Sequence, residues 1–105
     1  MENVDDGIAD TIINLNRCSI TTVASCSGLK ADHGKAKLPY VCIADTSTKL
    51  AEKIRKAGWI LELDKKSKVT YAYFYRTFPR GKEDTIQPDF VVLKGWEKLE
   101  KNLCS

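Results

Sequence analysis

The chain has 105 residues, of which 43% are hydrophobic and 30% charged, with a formal net charge of +3. That length makes a single domain spanning residues 1–105, and the apolar fraction argues against a disordered chain. No apolar run reaches the roughly eighteen residues of a transmembrane helix, and the acidic start Met1-Glu2-Asn3-Val4-Asp5-Asp6 lacks the apolar segment of a secretory signal, so neither is expected.

Asp5 or Asp6 can cap a helix over residues 5–16, in which Ile8, Ile12 and Leu15 recur at helical spacing. Residues 19–24 are β-branched enough to read as a strand, and residues 25–38 as a loop rich in Gly, Lys and Ser. Residues 39–44 form a second strand, with Pro39 at its start where a missing donor is tolerated. Asp45-Thr46-Ser47-Thr48 offers caps for a helix reaching Ala57, with Leu50, Ala51, Ile54 and Ala57 on one face and Gly58 as the residue that ends it. Residues 59–63 and 68–76 read as strands. The short turn between them predicts an antiparallel hairpin. After a loop over 77–87, Pro88-Asp89 opens a C-terminal helix whose Val92, Trp96, Leu99 and Leu103 share a face; a strand at 90–93 is the competing assignment. Gly95 inside that helix costs about 1 kcal/mol relative to Ala. Trp59 and Trp96 fall at core positions of their elements. The order α-β-β-α-β-β-α, with about four mostly antiparallel strands and three helices, predicts a two-layer α+β sandwich with helices on one sheet face.

Chemistry-bearing groups concentrate in residues 25–33. Strand-forming residues stop at Ser25-Cys26-Ser27-Gly28, and Asp32 and the chain's only histidine, His33, follow. Ser25, Ser27 and the amides through Gly28 can cradle a phosphate or a cofactor carboxylate, or can simply satisfy a strand-to-loop transition. Cys26 and His33 can form a nucleophilic pair, since a thiolate beside an imidazolium is the reactive form. Asp32 would then orient His33 or hold a ribose hydroxyl. The bland alternative is a buried thiol, a surface histidine and a solvated acid. A Cys26–His33–Cys42 metal set lacks a fourth ligand and a familiar spacing, and no metal is assigned. Cys18, Cys26, Cys42 and Cys104 contain no CxxC pair, which removes zinc-ribbon and thioredoxin motifs. With no signal peptide expected, they read as reduced thiols of a cytoplasmic protein.

Lys65, Lys66, Lys68, Arg76, Arg80 and Lys82 fall in one window with no acid between Lys65 and Lys82, interleaved with Tyr71, Tyr73, Phe74, Tyr75 and Phe78. Cations beside aromatics supply phosphate neutralisation and stacking platforms for nucleic acid. A hairpin whose aromatic face fills a small core is the favoured account of most of the aromatics, but it leaves the cations unexplained.

Val4-Asp5-Asp6 with Ile8, then Ile12-Ile13 and Leu15-Asn16, then Thr21-Thr22-Val23-Ala24-Ser25-Cys26-Ser27-Gly28 resembles the start of the wybutosine-synthesis tRNA methyltransferases of archaea and eukaryotes. That family opens with an acidic helix and a Thr-rich strand ending in Ser-Cys-Ser-Gly-Arg; here Leu29 stands in place of the arginine. Pro39-Tyr40-Val41, Leu50-Ala51 and Ala57-Gly58 are similar to its next β-α unit. The resemblance is close over residues 20–28, loose over 4–60 and faint beyond. It implies S-adenosylmethionine-dependent methylation of a tricyclic guanine derivative in phenylalanine tRNA, with Ser25, Ser27 and Gly28 at the cofactor. Two further readings stand beside this one: a non-catalytic RNA- or nucleotide-binding module, and a thiol enzyme using Cys26. Family members are longer than this chain, and a four-stranded sheet has open edges, so a homodimer is expected to complete the cleft.

Overall fold

The computed structural model of the chain describes residues 4–35, 37–74 and 87–105. A 3-10 turn at Asp6–Ile8 leads into α1 (Ala9–Arg17). The expected stripe of Ile8, Ile12 and Leu15 is buried there. After β1 (Thr22–Cys26) comes a helix absent from the sequence expectation, α2 (Lys30–His33), inside the segment read as a loop. Four residues cannot hold a helix by themselves. This one is held from outside: the Asp89 carboxylate accepts the amides of Lys30 and Ala31 at 2.7 and 3.0 Å.

The strand β2 (Tyr40–Ile43) is followed by α3 (Thr48–Lys56). Ser47 Oγ caps α3 by accepting the Leu50 amide at 3.2 Å. Gly58 takes the left-handed conformation beyond its end, with φ +78°, where a side chain would be strained. The hairpin of β3 (Ile60–Asp64) and β4 (Val69–Tyr73) forms as expected, and α4 (Asp89–Leu103) is a helix rather than a strand at 90–93. The sheet order is β1-β2-β4-β3, every pair antiparallel. The architecture is α+β, one four-stranded sheet with helices.

Side chains alternate across a strand, and the register sorts them into two faces. Ser25, Val41 and Ala72 lie on one row of the inner face, continued by Leu61 of β3. There Val41, Ile43 and Ala72 join Ile12, Leu15, Ile54, Trp96 and Leu99 in one buried cluster. Both tryptophans belong to it, with ring centroids 4.9 Å apart. Trp59 Nε1 donates to the Gly95 carbonyl and Trp96 Nε1 to the Ser27 carbonyl, both at 3.0 Å. Gly95 has a packing reason: a Cβ there would fall inside the Phe74 ring.

The cysteine expectation is corrected at two positions. Cys18 and Cys104 are joined in a disulfide, and Cys26 and Cys42 are not disulfide-bonded. Side-by-side packing of α1 and α4 brings the two helix ends together, with Cα atoms 5.5 Å apart, inside the span a disulfide bridges. A separation of 86 residues hides the pair from any spacing rule.

Candidate functional site

The end of β1 is organised by Ser27, whose polar groups all have partners within the chain. Its amide donates to Asp5 Oδ2 at 2.8 Å and its hydroxyl to Asp32 Oδ2 at 2.6 Å. The same hydroxyl accepts from the Leu29 amide, and the carbonyl accepts from Trp96. Gly28 follows at φ +75° and presses against Pro39, where any side chain would overlap. Ser27 and Gly28 are buried. Ser25 Oγ is also buried, with no hydrogen-bond partner among the described residues. The turn expected to hold a cofactor therefore serves to fix the strand end, and its Ser27 groups are already engaged.

Asp32 sits one residue from His33 but does not bond to it. It takes the Ser27 hydroxyl and the Gly7 amide, the latter at 3.3 Å. The acid at the histidine is Asp5, with Oδ2 2.8 Å from His33 Nε2. Cys26 Sγ lies 3.5 Å from that same nitrogen. Cys26 and His33 thus lie side by side, and the carboxylate that meets His33 is that of Asp5, not Asp32. Burial pushes the Asp5 carboxyl up, but the Ser27 amide and the hydrogen bond and charge of His33 outweigh it and hold the group below its ordinary value. Cys42 is not part of the cluster: it lies one register row away, opposite Ala24 and Tyr71.

The outer face of the sheet carries a second feature. Cys26, Tyr40, Tyr73 and Ile60 form one row, and Ala24, Cys42, Tyr71 and Glu62 the next. Tyr71 and Tyr73 therefore point away from the core, against the expectation that most of the aromatics fill it. Phe74 packs inward, at 5.4 Å from Trp59; Tyr75 and Phe78 lie outside the described residues. The Tyr71 and Tyr73 rings are nearly parallel, 10° apart in tilt with centroids 6.2 Å apart; Tyr40 lies 6.4 Å from Tyr73. Together with Cys26, Lys37 and Leu38 the three rings line an open pocket of about 480 Å³. The charge of a Cys42 thiolate and a hydrogen bond to it push the Tyr71 phenol up; burial and then Glu62 do the same for Tyr73. Both therefore stay neutral donors at neutral pH.

Lys65, Lys66 and Lys68 are exposed in the β3–β4 turn. The turn lies at the opposite end of the sheet from Cys26, four residues along the strands, or about 13 Å at about 3.3 Å per residue. Arg76, Arg80 and Lys82 lie outside the described residues. A larger, apolar groove of about 640 Å³ runs between α1 and β1 past Ile13 and Val23, away from these groups.

Sequence reasoning missed Asp5, Tyr40 and Lys37. The paired acids Asp5-Asp6 carried a signal for the first, since one cap needs only one of them. No helix among the described residues is long and apolar enough to cross a membrane. A scan against family models, a search of curated proteins and a search of solved structures each found no match for the chain.

Proposed function

We propose that this chain is a single-stranded RNA-binding module, with unpaired bases stacking on Tyr40, Tyr71 and Tyr73 across the outer face of the sheet. One observation carries the reading: three tyrosines share the sheet face opposite the helical layer, between the lysine turn at one end and Lys37 at the other. Every base offers a π-face, so such a platform accepts sequence-tolerant stacking worth about 1–3 kcal/mol per base. The lysines supply phosphate neutralisation, and the neutral phenols add no repulsion to it.

The test is binding of a short unstructured RNA across a salt series. Replacing Lys65, Lys66 and Lys68 together by alanine should weaken binding and flatten the log–log salt slope by about 0.7 per lost contact. Affinity and slope equal to the parent protein's would remove the turn from the interface. The methyltransferase reading rests on the sequence resemblance and predicts heat of S-adenosylmethionine binding, alone or with tRNA, in a calorimeter. With Ser27 fully engaged, the geometry favours RNA binding without the cofactor. The thiol-enzyme reading would place a carboxylate on the histidine nitrogen remote from the thiol, whereas Asp5 meets the nitrogen that faces Cys26.

A further inference from the structure

We propose that Asp5, Cys26 and His33 bind one borderline-soft divalent metal ion of the zinc class, with an open coordination position toward the tyrosine-lined pocket. The site goes beyond the RNA-binding reading and does not depend on it. Three separate elements deliver the donors: the residue before the 3-10 turn, the last residue of β1 and the last residue of α2. One donor atom from each, a carboxylate oxygen, Sγ and a ring nitrogen, lies within 4.8 Å of the others.

The convergence on a single nitrogen is the informative part. His33 Nε2 faces both Asp5 Oδ2 at 2.8 Å and Cys26 Sγ at 3.5 Å. A ring nitrogen carries either one hydrogen or one lone pair, so it serves one of these neighbours fully and not both. A cation among the three atoms serves all of them. In a tetrahedral site with a zinc–sulfur bond of about 2.3 Å and a zinc–nitrogen bond of about 2.0–2.1 Å, sulfur and nitrogen stand about 3.5 Å apart. The observed Cys26–His33 separation already has that value. Oxygen and nitrogen need about 3.3 Å, so an entering ion would widen the Asp5–His33 contact by about half an ångström.

Thiolate and carboxylate together balance the charge of a divalent ion, and a sulfur–nitrogen–oxygen set selects zinc-like metals over magnesium or calcium. The Ser27 amide on Asp5 Oδ2 orients the carboxylate, as second-layer partners of metal ligands do. His33 and Asp5 keep 19% and 25% of their side-chain surface, so an ion can enter. Three protein ligands leave a fourth position. Cys26 lines the pocket beside Tyr40 and Tyr73, which places that position next to whatever occupies the platform. Binding releases the thiol proton of Cys26 to solvent and involves no change of oxidation state.

The experiment uses the disulfide-bonded full chain after chelator treatment, titrated with Co²⁺. One equivalent should bind with a thiolate-to-cobalt charge-transfer band, and Zn²⁺ should displace it. Cys26→Ser should abolish the band and Cys42→Ser should keep it. Asp5→Asn and His33→Gln should each weaken binding at least about tenfold. Absence of a thiolate band, or a band that survives Cys26→Ser, overturns the proposal. A parallel reading on the unmutated chain covers a variant that fails to fold: Zn²⁺ should slow alkylation of Cys26 and leave Cys42 unchanged. An unchanged Cys26 rate overturns it too.

Discussion

Replacing Trp96 by phenylalanine removes one hydrogen bond that ties α4 to the strand end where the site is built. The Trp96 indole is 1% exposed, and its Nε1 donates to the Ser27 carbonyl at 3.0 Å. Phenylalanine keeps the ring but leaves that buried carbonyl unpaired, at a cost of about 1–3 kcal/mol. The lost volume, about 40 Å³, adds about 1 kcal/mol at roughly 24 cal/mol per Å³. Trp96→Phe should therefore lose about 2–4 kcal/mol in urea unfolding with an unchanged m-value. Near this chain length that is a fall in Tm of at least about 8 °C. Amide exchange at Ser27 and Leu29 should speed up more than exchange in α3, because Ser27 links Asp5, Asp32 and Leu29. A variant within about 0.5 kcal/mol of the parent, with unchanged exchange at Ser27, would refute the role given to Trp96.

Denatured but unreduced protein should release two thiols, Cys26 and Cys42, and a count of four would contradict the Cys18–Cys104 bond. Reducing that bond opens a loop of 86 residues and should cost about 4.6 kcal/mol by chain entropy, read as a lower urea midpoint. The folded-state carboxyl of Asp5 lies below its ordinary 3.8, so its stabilising contribution is complete above that value and fades as pH falls through the folded pKa. The stability gap between the metal-free parent and Asp5→Asn should accordingly be present at neutral pH and shrink as pH falls below 3.8; a gap constant with pH would contradict this. β1 is an open sheet edge with Val23 half exposed beside exposed Ile13. Light scattering at micromolar concentration should give twice the 11.8 kDa chain mass, and a monomer mass would remove the expected homodimer.

What the sequence made legible is what local chemistry decides. Ser47 and Gly58 bracket α3 because a hydroxyl cap and a left-handed glycine act within one turn. The β3–β4 hairpin and the buried stripe of α4 follow from short turns and helical spacing. Hidden from the sequence were the features settled across the chain. α2 is capped by Asp89, 59 residues from Lys30. Asp5 read as a helix cap, yet its carboxylate reaches Ser27 and His33. Tyr71-Ala72-Tyr73 read as core because rings are large. The helices carry Trp96, Leu99 and Ile54 onto the inner face, so the strand needs a small residue there, Ala72, and the tyrosines face out. Ser27 attracted a ligand role from its neighbours, while burial and four internal bonds made it structural.

RNA binding on the tyrosine face is tested by the affinity of the double variant Tyr71→Leu, Tyr73→Leu for a short unstructured RNA, by fluorescence anisotropy across a salt series. Leucine keeps apolar bulk on the sheet and removes the π-face. At about 1–3 kcal/mol per stacked base, loss of the two rings should weaken binding at least about tenfold, with 1.4 kcal/mol equal to tenfold, and leave the salt slope unchanged. Affinity equal to that of the parent protein, in a variant whose circular dichroism shows it folded, would contradict the claim that the tyrosine face binds RNA.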